Sequence, residues 1–130
     1  MKKVFISYAR DDSKAARDLL DNLPDAEVSG WMDLADINSG DAVSRSIKDA
    51  IRDASAVVVL LSPQSAANQW LNFEIGAALA MDKRIIPVLI GDGDIEVRLP
   101  DWLQGMMYID ARKRPMAQLA QEVARFVSAA

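Results

Sequence analysis

Between Trp70 and Met81 the chain reads Trp-Leu-Asn-Phe-Glu-Ile-Gly-Ala-Ala-Leu-Ala-Met, and Glu74 is its only charged residue. An ionised carboxylate in apolar surroundings is costly unless something pairs with it or uses it. Trp70 stands four residues earlier, so on a helix its indole and the carboxylate share one face. A lone acid beside an aromatic platform can hold a sugar ring and stabilise positive charge on it. The same spacing fits a solvated glutamate on an amphipathic helix, and this segment alone leaves both readings open.

Composition narrows the chemistry. The chain has 130 residues, enough for one domain with a hydrophobic core, and 51% of them are hydrophobic against 26% charged. It has no cysteine, which excludes disulfides and thiolate metal sites, and no histidine. The second absence removes the commonest general base, the Ser-His-Asp triad and nearly every zinc site. Catalysis must then come from carboxylates, hydroxyls, lysine, arginine or backbone groups, with no metal and no cofactor expected. The net charge of -4, from 15 basic and 19 acidic residues, argues against nucleic acid as a partner. The dense basic run Arg112-Lys113-Arg114 reads as decoration of a surface loop. No apolar stretch reaches membrane-spanning length, and the start lacks the apolar core of a signal peptide. A cytoplasmic protein without a membrane partner is expected.

Stepping along the chain, short apolar runs alternate with helical patterns. Val4-Phe5-Ile6 reads as a strand, and Asp12 or Ser13 can cap a helix with Ala15, Ala16, Leu19, Leu20 and Leu23 facing inward, stopped by Pro24. Val28 to Asp33 gives a second strand, and Asn38-Ser39-Gly40 a turn. A second helix should bury Val43, Ile47, Ala50, Ile51 and Ala54. The unbroken run Ala56 to Leu61 suits a parallel strand buried on both faces, and Ser62-Pro63 leads from it to the helix bearing Glu74. Ile85 to Ile90 is a fourth strand, turned by Gly91-Asp92-Gly93-Asp94, and Met107-Tyr108-Ile109 a short fifth. Pro115 at a first helical position opens a last helix with Met116, Leu119, Val123, Phe126 and Val127 inward.

This alternation predicts an α/β fold: a flavodoxin-like three-layer sandwich with a five-stranded parallel sheet in the order 2-1-3-4-5, residues 1–130 forming one domain. Pro87 resists, because it cannot donate a ladder hydrogen bond from inside a central strand. Ligands of such sheets bind beyond the carboxyl ends of the strands, near the switch point between the first and third. Ser7 to Asp12, Asp33 to Asp41 and Ser62 to Glu74 are the segments that reach that edge.

Other chemistries fit less well. The chain has neither G-x-x-x-x-G-K-[ST] nor G-x-G-x-x-G after the first strand, so a phosphate or dinucleotide cradle is not expected. Asp11-Asp12 invites a phosphoacceptor reading, but the third strand ends Leu60-Leu61-Ser62 without the aspartate that it needs. The two acids are instead expected to serve a helix N-terminus. Asp33 and Glu74 could form a two-carboxylate glycosidic pair, or Asp33 could simply form a turn.

Taken together, these residues resemble the Toll/interleukin-1 receptor (TIR) domain family, prokaryotic NAD-consuming type. Val4 to Asp12, with Ser7-Tyr8-Ala9-Arg10 at its centre, is similar to the family's first sequence box. Trp31-Met32-Asp33 with Ile37 and Gly40 resembles its second strand and the loop after it, the BB loop. Ala56 to Pro63 and Arg84 to Val88 look like its third and fourth strands, and Trp70 to Glu74 matches its W-x-x-x-E pattern.

The resemblance implies an NAD+ nucleosidase that cleaves the nicotinamide–ribose bond by hydrolysis or cyclisation, in immune or stress signalling, with NAD+ as substrate. Glu74 aligns with the family's catalytic glutamate. Ser7, Tyr8, Ala9 and Arg10 would line the nicotinamide side, Asp33 the floor, Ile37 and Gly40 the loop above it, and Trp70 a wall. Where the family often has an aromatic or basic residue late in that loop, this chain has Asp41-Ala42. The implied partners are NAD+, a second copy or another TIR domain that completes the site, and a sensor domain or chain. Two alternatives stay open: a non-enzymatic adaptor acting by TIR–TIR association, and an enzyme of the nucleoside deoxyribosyltransferase type.

Overall fold

The computed structural model describes residues 2–8, 12–32, 49, 51–62, 82–91, 107–112 and 114–128. Among them are five strands: β1 (Lys2–Ser7), β2 (Val28–Met32), β3 (Ala56–Leu61), β4 (Arg84–Leu89) and β5 (Ile109–Asp110). All pair in parallel, in the order β2-β1-β3-β4-β5, as the strand–helix alternation predicts. Two helices are described in full, α1 (Ser13–Asn22) and α2 (Met116–Ser128).

Strand alternation divides the core. Val4, Ile6, Ala56, Val58, Leu60, Ile86 and Val88 project from one face into a cluster with Ala16, Leu19 and Leu23 and with Leu119, Val123 and Val127 of α2. Phe5, Val57, Val59, Leu61 and Leu89 are buried apart from that cluster, on the opposite face, where Ile51 and Ala54 are also buried. All six residues of β3 are buried, which is why its sequence shows no polar alternation. Fully burying each such side chain is worth roughly 1.5–3 kcal/mol before the cost of ordering the chain.

The apolar spacing of α1 puts Ala16 and Leu19 against the sheet. Pro24 opens a single 3-10 turn, Pro24–Ala26, and Glu27 takes a left-handed φ of 62° that redirects the chain into β2. A hydrogen bond from Val28 N to Leu23 O, 3.1 Å, closes the connection. The helix then crosses β2 so closely that a Cβ on Gly30 would meet Leu20 Cδ1 at 2.6 Å and Leu23 Cδ1 at 2.7 Å. Glycine is the residue that fits there.

Pro87 does lie inside a strand, level with Val59 of β3. Leu89 O accepts from Ala111 N on the β5 side, while Ile90 N donates to Leu61 O on the β3 side. Backbone groups alternate sides along a strand, so the Pro87 nitrogen faces β5. Pairing with β5 begins only at Val88. The missing donor therefore falls just short of that ladder. β5 itself is Ile109–Asp110, beginning two residues later and ending one later than the expected segment, because pairing rather than composition defines so short a strand.

Pro115 precedes α2, and its carbonyl accepts from Gln118 N and Leu119 N at 3.1 and 3.2 Å. It thus caps the helix rather than occupying the first helical position. The expectation that Arg112 and Arg114 merely decorate a loop is corrected. Arg112 bonds both carboxyl oxygens of Asp110 at 2.9 Å, and Arg114 forms a two-pronged pair with Glu122 of α2. The hydrogen-bonded Arg112 guanidinium holds the Asp110 carboxyl below its ordinary range. Among the described residues no helix is long and apolar enough to cross a membrane.

Candidate active site

The switch point of the sheet lies between β1 and β3, which run side by side with Ser7 level with Val59. Four polar or half-polar side chains are buried where these strands end: Ser7, Tyr8, Asp12 and Ser62. Ser7 closes β1 and projects with Phe5 from one face of the sheet. Tyr8 follows it and packs on the other face, in the core cluster shared with α1 and α2. Successive residues of one segment thus serve opposite layers.

Asp12 occupies the N-cap position of α1, yet its side chain makes no capping hydrogen bond. The carboxyl group instead accepts from the Ser62 hydroxyl at 2.8 Å, in a buried contact between residues 50 positions apart. Asp12 thus stands at the helix N-terminus as expected, but without a side-chain capping bond, while Asp11 lies outside the described residues. A buried hydroxyl and carboxyl group are expensive unless bonded, and this hydrogen bond offsets part of that cost for both. Among the described residues, no cluster of acidic side chains could hold a metal ion.

Of the residues singled out in the sequence, Ser7 and Tyr8 are placed at this edge. Ala9, Arg10, Asp33, Ile37, Gly40, Trp70 and Glu74 lie outside the described residues. The Asp12–Ser62 pair escaped sequence reasoning, although both members fell in segments expected to reach the rim. The available signal was Ser62 directly after one apolar strand and Asp12 at the start of the helix that follows its neighbour.

A family model described as TIR domain matches residues 4–125. The chain belongs to this family. Over 100 residues this TIR domain is 29% identical to the probable 2' cyclic ADP-D-ribose synthase of Brachypodium distachyon, an alignment covering 75% of this chain and 45% of that protein. It is 26% identical over 127 residues to the NAD(+) hydrolase TcpC of Escherichia coli O6:H1, covering 92% of this chain and 41% of the other. Among solved structures, the TIR domain of a Toll-related receptor from Hydra magnipapillata matches with a TM-score of 0.67 at 26% identity, covering 82% of each chain. The chain spans less than half the length of the curated relatives it matches.

Proposed function

We propose that this TIR domain cleaves the bond between nicotinamide and ribose in NAD+, with Glu74 as its catalytic residue. The observation that carries the reading is its similarity, over most of its own length, to proteins named as an NAD(+) hydrolase and a probable 2' cyclic ADP-D-ribose synthase. Polar side chains at the switch point support the same edge as the place of reaction.

The chemistry suits a chain with neither histidine nor cysteine. Nicotinamide is bound to ribose as a pyridinium, so when the C1'–N bond breaks its electron pair returns to the ring nitrogen and the base leaves neutral. No acid is needed. The sugar becomes an oxocarbenium-like cation, which a carboxylate at Glu74 stabilises in a partly dry pocket. Water attacking C1' and losing a proton gives hydrolysis; a hydroxyl of the same molecule attacking instead gives cyclisation.

In this reading Ser7, Tyr8, Ala9 and Arg10 form the nicotinamide side, Asp33 the floor, Ile37 and Gly40 the loop above, and Trp70 a wall. Residues 1–130 act as one TIR domain in the cytoplasm, and a second copy or another TIR domain completes the site. A sensor domain or chain supplies the clustering. Mass-spectrometric analysis of products from NAD+ incubated with clustered protein tests the proposal. Free nicotinamide with an ADP-ribose product is expected; intact NAD+ under clustering would leave TIR–TIR association as the function.

A further inference from the structure

The ladder between β1 and β3 ends at Ser7 and Val59. In sequence β1 leads on to α1, while β3 continues to Leu61 and is followed by Ser62. The Asp12–Ser62 hydrogen bond, 2.8 Å long and buried, joins the two chain segments beyond the last β1–β3 pair. Asp12 stands at the N-cap of α1 without a side-chain capping bond, and its Oδ2 accepts from Ser62 across the switch point. Ser7 and Tyr8 lie on the same exit as Asp12, and Ser62 is the last described residue before the sequence that runs to Trp70 and Glu74.

We propose that Asp12 and Ser62 are a positioning pair, whose hydrogen bond fixes the exit of β1 against the exit of β3 for the reaction at Glu74. The inference rests on the NAD+ reading above. Neither residue is assigned a contact with substrate; each acts through the segment it holds. Affinity for NAD+ is spread over many groups, whereas the rate depends on the alignment of one carboxylate with C1', and a displacement near 1 Å can cost about a hundredfold. Loss of the bond should therefore lower kcat and leave KM nearly unchanged.

The test uses clustered protein and NAD+, with Ser62→Ala, Ser62→Thr, Asp12→Ala, Asp12→Asn and the double alanine variant, each checked for folding by its melting curve. Ser62→Ala is expected to lower kcat about tenfold with KM within about twofold. Ser62→Thr keeps the hydroxyl and Asp12→Asn keeps an acceptor oxygen, so at least one restores most of the rate. The double variant should lose no more than the worse single one, as expected of residues that act as a unit. An unchanged kcat in Ser62→Ala, a change confined to KM, or losses that simply add would overturn the proposal.

Wild-type turnover in the same assay judges the NAD+ reading by itself. If the wild type leaves NAD+ intact, that reading fails and hydrogen exchange on the unliganded protein decides the pair. Ser62→Ala should then speed exchange in peptides around residues 8–16 and 60–66 while β4 stays protected. No change, or an increase everywhere, would defeat it.

Discussion

Among the described residues, the amino-terminal edge of the sheet and the carboxyl ends of β1 and β3 handle polar residues in opposite ways. At the amino-terminal end Lys2, Lys3, Ser55 and Arg84 are exposed. The lysine amines there meet backbone carbonyls: Lys2 Nζ donates to Val127 O at 3.0 Å, and Lys83 Nζ to Arg52 O and Ala54 O at 2.6 and 2.9 Å. In a parallel α/β fold each helix ends where a strand begins, so orphan carbonyls and their negative partial charge gather at this edge. Lysines answer that charge from solvent. At the carboxyl end the polar groups Ser7, Asp12 and Ser62 are buried instead. Solvated cations make one end a stabilising rim. Enclosed hydroxyl and carboxyl groups, which are costly to bury without a partner, set the carboxyl ends of β1 and β3 apart, and the proposed reaction is assigned to that edge.

The contrast can be broken at several points. The largest effect is expected from the apolar span that both ends share: Leu60→Ala should cost about 2–5 kcal/mol in urea unfolding, because Leu60 is fully buried. A much smaller loss would mean that the core can collapse around the gap. At the amino-terminal end, Lys83→Met removes two bonds to helix-end carbonyls and should cost about 1 kcal/mol while leaving NAD+ turnover unchanged. A fall in turnover there would erase the distinction between the ends. At the carboxyl end, Ser62→Ala should lose about 1–3 kcal/mol, because a buried carboxyl group loses a donor, and should lower the rate as well.

The smallest effect concerns Asp110, half-exposed beside Arg112. A carboxyl held below its ordinary value in the folded state adds stability that is fully present above the unfolded value of about 3.9, and is lost as pH falls through the folded one. Arg112→Ala should therefore be slightly less stable than wild type at pH 7, with the difference closing in acid; an exposed pair limits its size. Unfolding curves at pH 7 and pH 3 measure it. A gap that widens at low pH would mean that Arg112 stabilises the fold by some other route.

Much of the architecture was legible because burial writes directly into the chain. Ala56 to Leu61 is apolar throughout since both faces of β3 are covered, and the spacing of Leu119, Val123 and Val127 follows the one buried face of α2. Strand order followed from the same alternation. What composition could not supply was anything set by distant neighbours. Pro87 is tolerable because the pairing of β4 with β5 begins only at Val88, and Asp12, at the start of its helix, accepts a hydrogen bond from Ser62 across the sheet edge. Local preference for aspartate at a helix start gave its position but not its partner. At the site, Ser7 and Tyr8 are placed where the topology rule required; the remaining sequence candidates fall outside the described residues.

The measurement closest to the central claim is nicotinamide release from NAD+ by clustered wild-type protein beside Glu74→Gln, with circular dichroism confirming that both are folded. Release by the wild type and a loss of about a hundredfold or more in the variant are expected. Equal rates from the two proteins would contradict the assignment of Glu74 as the catalyst.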